Sequence, residues 1–279
     1  MSYKDTAPID FEALFRVWAY TVYLKSKGHA KKVKKFKRTC KIPDDLIIEF
    51  TWENATFEFY GLETTEKGNR VIPKQVHQMR YYSDISKIQP KISHNSTTEA
   101  TFEVTVVEGR TSGLGVEPQP LHLPRALSSM PNSPFGNMFP LSTDARQIPS
   151  ERRQQPWSFN AKFELEKDVH ALATMMVHEN HRQGDFKCTA RLSGKLSAKV
   201  SKRKGGAPTI IDAADFPAIY AVFKSSVISV QSVNQLRVNR EEKSLDWTVV
   251  GDFSLIYGLD NSYEVTKGDS GKGEATKQQ

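Results

Sequence analysis

The chain of 279 residues carries a formal net charge of +7, with 38% hydrophobic and 10% aromatic residues. The aromatic content excludes a wholly disordered chain, and no apolar run reaches the roughly eighteen residues of a transmembrane helix. Two cysteines, Cys40 and Cys188, exclude a disulfide framework.

The N-terminal stretch "MSYKDTAPIDFEALF" has acids where a signal peptide carries a basic patch and an apolar core, so the chain is expected to be cytoplasmic as encoded. "IDFEALFRVWAYTVYLK" predicts an amphipathic helix, with Phe11, Leu14, Phe15, Trp18 and Val22 on one stripe. Asp10 is placed to cap it, and Ile9 with Leu14 can form a hydrophobic staple. Its polar face is poor in Lys and Arg, which favours docking on a sheet over lying in a membrane surface. Lys25 to Lys41 then holds nine basic residues and no acid. Within it, Lys31, Lys32, Lys34, Lys35, Lys37 and Arg38 form a candidate patch for an anionic surface, either lipid or nucleic acid.

Strands follow. "DLIIEFTW" and "ATFEFYGL" predict two short ones, and "STTEATFEVTVVEG" a longer one with Phe102, Val104 and Val106 on one face. Glu117 to Pro156 contains eight of the fourteen prolines, a density that neither a helix nor a central strand survives. A structureless stretch of about forty residues is unusual in a compact domain, which points to disorder or function. Its apolar residues include Leu121, Leu123, Phe135, Met138 and Phe139.

Alternation resumes at "WSFNAKFEL", with Phe159, Ala161, Phe163 and Leu165 on one side. "VHALATMMVHE" is strand-like, although Ala and Met leave a helix open. From Phe186 to Val200 the even positions are apolar or small and the odd ones polar, without a break. Fifteen extended residues would span about 50 Å, the full diameter of a compact chain of this size, about 48 Å. "TIIDAADFPAIYAVF" reads as a short helix or loop followed by a strand. "SSVISVQSVNQLRVN" and "LDWTVVGDFSLIYGL" alternate again, the latter with Trp247, Val249, Gly251, Phe253, Leu255 and Tyr257 together. The tail from Lys267 is polar and expected to be disordered.

Catalytic constellations are weak. "GDSG" at 268–271 sits in the polar tail, away from any core that could position a histidine. His170, His178 and His181 are near in sequence, but His178 and His181 share neither a strand face nor an established zinc spacing. "SGLG" at 112–115 is too short for a phosphate loop. The expectation is a non-enzyme without cofactor or metal.

In order and texture the chain resembles the aerolysin-like β-pore-forming proteins, particularly the branch with epsilon toxin and the mosquitocidal toxins, which includes animal members without signal peptides. "NSTTEATFEVTVVEGRTSG" is similar to the family's first long Ser/Thr-rich strand, and "WSFNAKFELEKDVHALATMMVHENH" to the strand pair after its insertion segment. "GDFKCTARLSGKLSAKV" and "VVGDFSLIYGLDNSYEVTK" are similar to its later strands. The resemblance implies a mainly β, elongated module of long twisted antiparallel strands over residues 92–266, with the Pro-rich insertion at 117–156. Before it would lie a recognition domain, 1–91, containing one amphipathic helix, the basic run and short strands. After it comes the tail, 267–279. The implied activity is membrane association and oligomerisation, from soluble monomer to membrane ring. The implied partners are a lipid membrane, anionic if the lysine patch acts, and further copies of the chain.

One departure from the family stands out. Its insertion segment usually alternates polar and apolar residues, whereas 117–156 does not, and lipid penalises each proline's missing donor. The expected insertion elements are therefore the flanking residues Phe102, Val104, Val106, Phe159, Ala161, Phe163 and Leu165. Leu121, Leu123, Phe135, Met138 and Phe139 would form a mobile cover over them. Two alternatives stay open: a nucleic-acid-binding or coat-like basic β protein, and a non-lytic binding protein on the same fold.

Overall fold

The computed structural model describes residues 9–39, 41–108, 111–112, 116, 121–122, 134–135, 138–139, 150–224, 236–269 and 272–277. In chain order the elements are β1 (Ile9–Asp10), α1 (Phe11–Ser26), α2 (Ala30–Thr39), β2 (Leu46–Tyr82) and β3 (Lys91–Glu108). Then come β4 (Thr111–Ser112), β5 (Leu121–His122), β6 (Met138–Phe139), β7 (Ser150–Lys162) and β8 (His170–Lys202). The chain continues with β9 (Thr209–Asp215), α3 (Phe216–Lys224), β10 (Arg237–Asn239), β11 (Ser244–Asp269) and β12 (Lys272–Lys277).

One antiparallel sheet in the order β2-β8-β11-β3-β7 dominates, with β9 on one end of β8 and with β10 and β12 on β11. The alternation from Phe186 to Val200 is the second half of β8, whose 33 residues would measure about 110 Å if straight. The molecule is thus mainly β and elongated, as the alternation predicts.

The two short strands expected between residues 45 and 62 are corrected to a single strand of 37 residues, β2. The residues that look like turns are absorbed as bulges against the continuous β8, at Glu53/Thr56, Tyr60/Glu63, Glu66/Gly68 and Gln75/His77. Pro73 is tolerated because β2 is an edge strand. Opposite the Asn54–Ala55 bulge lies Gly194 with φ +111°, where an added Cβ would come within 2.7 Å of Ala55 Cα. Gly194 thus marks a close backbone approach at a bulge, and β8 continues through it as one strand.

The order in "TIIDAADFPAIYAVF" is also corrected, since the strand β9 comes first and the helix α3 second. Asp215 caps the helix by accepting from Ala218 N at 3.1 Å, and Pro217 suits its first turn. Phe216, Ile219 and Phe223 then fall on one buried face. The basic run supplies a second N-terminal helix, α2, which among its described side chains buries only Val33 and Phe36. "VHALATMMVHE" is strand, within β8. In the tail, Lys272–Lys277 forms a strand against Glu264–Asp269 instead of a disordered end. Most of "SSVISVQSVNQLRVN" lies outside the described residues.

Two cores lie on opposite faces of this sheet. The first takes the even residues of β8 from Phe186 to Val200 and the odd residues of β11 from Trp247 to Tyr257, with Phe57, Phe102 and Val104. Helix α1 covers it. Asp10 accepts from Ala13 N at 2.9 Å, as a cap should, and Phe15 meets the rings of Phe11, Phe50, Trp52, Phe216 and Phe223.

The second core takes odd residues of β8, Ala171, Ala173, Met175 and Val177, with Val265, Ile92, Phe159, Phe163 and Leu165. Odd and even side chains of a strand point to opposite faces, so the buried face changes along β8. The change falls at Glu179 and Asn180, both buried. The pairing explains it. β3 follows β11 only from Thr101 to Glu108, and beyond that point it pairs with β7 alone. The β3–β7 hairpin thus leaves the sheet edge and crosses the other face. A bulge in β11 between Gly258 and Asp260 sits at the same level.

Candidate functional site

The β3–β7 hairpin combines a face that is polar except for Pro156 with a mixed one. Outward it presents Ser93, Asn95, Thr97, Glu99 and Glu103 from β3 and Arg152, Gln154, Ser158 and Asn160 from β7, nearly all exposed. Inward it presents Ile92, Ala100, Phe102 and Val104, with Trp157 and Phe159. Period-2 alternation with Ser and Thr on the wet side produces this division.

A polar clasp fixes the hairpin where it leaves the sheet. The Gln155 amide makes two hydrogen bonds to one residue of β11, accepting from Gly258 N and donating to Gly258 O, each at 2.8 Å. The Trp157 ring lies over Gly258, where any Cβ would collide with it. Its indole nitrogen donates to Thr98 Oγ1 at 2.9 Å. Asn261 Nδ2 donates to Ser158 O at 3.0 Å. On the β2 side the His77 and His94 rings stack at 3.9 Å.

The seven candidate insertion residues divide between the two cores. Phe102 and Val104 are buried in the first, with Val106 packed against it. Phe159, Phe163 and Leu165 are buried in the second, with Ala161 packed against it. The two groups do not face each other: Phe102 pairs with Glu151, while Phe159 pairs with His94 and Ala161 with Ile92. Of the cover residues, Phe135 is buried and meets Phe102 edge-on at 5.8 Å. Arg153 holds it there, with its guanidinium 5.7 Å from the Phe135 ring centre and a bond to Pro134 O. Leu121 pairs with Phe139 and His122 with Met138 in the β5–β6 ladder. Leu123 lies outside the described residues.

On α2, Lys31, Lys32, Lys34 and Lys35 are exposed and Lys37 is half-buried, while the Arg38 side chain lies outside the described residues. The histidines of the weak metal motif have separate partners: His170 stacks on Tyr82, His178 meets Asp260 and His181 lies near Glu179. Cys188 is buried, and burial pushes its thiol up to about 12.

Sequence reasoning missed the clasp residues Gln155, Thr98 and Gly258. A glycine inside an alternating strand signals close approach, but only the register identifies Trp157 as what approaches.

Near the point where the hairpin departs, Asp185 and Asp252 face each other across β8 and β11. Lys67, the extra residue of a β2 bulge, bonds Asp185 and lies 3.6 Å from Asp252. The bond from Lys67 holds Asp185 below the usual carboxylate range. The hydrogen bond with Asp185, then burial and that neighbour's charge, pushes Asp252 up. A carboxyl raised in the folded state is disfavoured when ionised, so Asp252 weakens the fold above its raised pKa. That penalty disappears as pH falls through it. Asp252→Asn is therefore expected to raise Tm slightly at pH 7, by less than an unscreened pair would because Asp252 is more than half exposed, with the gain shrinking toward acid. An unchanged or lower Tm at pH 7 rules out the repulsion.

No protein-family model matches the sequence, and no curated protein matches it. Among solved structures, a non-toxic crystal protein from Bacillus thuringiensis has a TM-score of 0.53 at 10% identity, over 94% of this chain and 98% of its own. The Cry23Aa1–Cry37Aa1 binary complex has a TM-score of 0.49 at 12% identity, over 97% of this chain and 95% of the other. The Mpp75Aa1.1 β-pore-forming protein from Brevibacillus laterosporus has 0.41 at 12% identity, over 97% and 94%. The likeness is one of fold: a mainly antiparallel architecture consistent with the aerolysin-like β-toxins. Among the described residues no helix is long and apolar enough to cross a membrane, which says nothing of strands.

Proposed function

We propose that the chain is a membrane-associating, oligomerising protein of the β-pore-forming type, soluble as a monomer and assembling into a ring on lipid. The observation that carries this reading is the β3–β7 hairpin, which is joined to the main sheet along only part of its length. Its outward face suits the lumen of a barrel, and Ile92, Phe102, Val104, Trp157 and Phe159 of its inner face suit lipid, although Glu151, Arg153 and Gln155 interrupt that face. Bound to the body through one sheet edge, the clasp and side-chain packing, it can separate without breaking the β2–β8–β11 ladders. Phe135 on Phe102, held by Arg153, belongs to a cover that must lift first. The lysines of α2 supply attraction to an anionic surface, each worth about 1 kcal/mol near such lipid.

A disulfide between His77→Cys on β2 and His94→Cys on the hairpin, whose rings stack face to face, with Cys40→Ser to prevent mispairing, tests the reading. The inaccessible thiol of Cys188 stays out of the exchange. Dye leakage from anionic vesicles is expected from the reduced form, with rings visible by electron microscopy, and is expected to be abolished in the oxidised form. Leakage that persists when oxidised removes the hairpin from the mechanism. Vesicle binding without leakage in either form supports the non-lytic alternative.

A further inference from the structure

We infer that the groove between α1 and α2 binds a single-chain amphiphile with an anionic head. This goes beyond the pore-forming reading and does not rest on it. A cavity of ≈ 500 Å³ lies there, lined by Tyr20, Leu24, Phe36 and Pro43 with Lys32, Lys35, Thr39 and Lys41. That volume falls within the usual range for small-molecule sites.

Helical spacing explains the lining. Residues 32, 35, 36 and 39 share one face of α2, and residues 20 and 24 share one face of α1. Tyr20 meets Phe36 edge-on at 4.7 Å, which closes the apolar end. Lys32, Lys35 and Lys41 are exposed and form no ion pair among the described residues. One acid lies close: Asp45 is near enough to raise Tyr20, after burial and Tyr23. Three cations therefore stand beside an apolar floor. The complementary ligand has an alkyl chain for the floor and a carboxylate or other anion for the lysines. A neutral chain leaves the lysines unused, and a large polyanion leaves the floor unfilled.

The experiment uses decanoate at sub-micellar concentration, with the full chain and no bilayer, read by titration calorimetry. Saturable binding is expected, with 1-decanol binding at least about tenfold more weakly because it lacks the charge-assisted bonds. Lys32→Gln with Lys35→Gln should weaken decanoate about tenfold or more. Lys31→Gln with Lys34→Gln removes the same charge from the helix side away from the groove, and should change affinity less than about twofold. Thr39→Trp, at an exposed position, should fill the groove and abolish binding without disturbing the core. Equal losses from the two lysine pairs mean a diffuse electrostatic effect and overturn the site. So do equal binding of decanol and decanoate, unimpaired binding by Thr39→Trp, and no binding of decanoate at all.

Discussion

Phe15→Ala is expected to reduce folding stability by about 4 kcal/mol, as deleting a buried ring from a well-packed core does. Phe15 is 1% exposed and lies among five aromatic rings that belong to α1, β2 and α3. Its loss leaves a cavity where two helices meet the sheet, so α1 and α3 should loosen together. Urea unfolding gives the energy, and near-ultraviolet circular dichroism reports the loosened aromatic cluster. A loss below about 1 kcal/mol, within the range of surface substitutions, would mean that α1 is only loosely seated on the sheet.

Gly251→Ala is expected to cost about 3 kcal/mol through overpacking. Gly251 stands opposite Phe186, and Gly184 stands opposite Phe253, one strand pair carrying two reciprocal glycine–phenylalanine contacts. A Cβ on Gly251 would lie 2.6 Å from the Phe186 ring and would also meet the Thr105 carbonyl. The ring can shift but the carbonyl is held in the ladder to β3. Adding Phe186→Leu should therefore recover only part of the loss, by the same urea measurement. Full recovery would place the whole obstacle in the ring, and an undiminished loss would place it in the backbone.

Much of the fold was legible because long strands with one buried face repeat with period 2. Phe186 to Val200 and Trp247 to Tyr257 show their buried faces residue by residue, and Asp10 shows the start of α1. What stayed hidden depended on pairing. Asn54, Gly61 and Gly68 look like turns in sequence, and only the continuous partner strand converts them into bulges. Asp215-Phe-Pro is a helix start, but the apolar run around it hid the order of strand and helix. The hairpin strands were legible as alternating segments, though not their offset, which places Phe102 opposite Glu151. The clasp was not legible at all, since Gln155 and Gly258 lie 103 residues apart and neither is unusual alone.

The change of buried face at Glu179 and Asn180 has a thermodynamic consequence. Cores on opposite faces need not melt together, because a cooperative unit extends only as far as its shared contacts. Ile92, Phe159, Phe163 and Leu165 come from the hairpin side of the second core, whereas the aromatic cluster under α1 draws nothing from them. Local opening below Thr101 therefore exposes Ala171, Ala173, Met175 and Val177 while the rest of the molecule keeps its native packing. The protein is built as a rigid handle and a separable blade, with the pivot where β3 parts from β11.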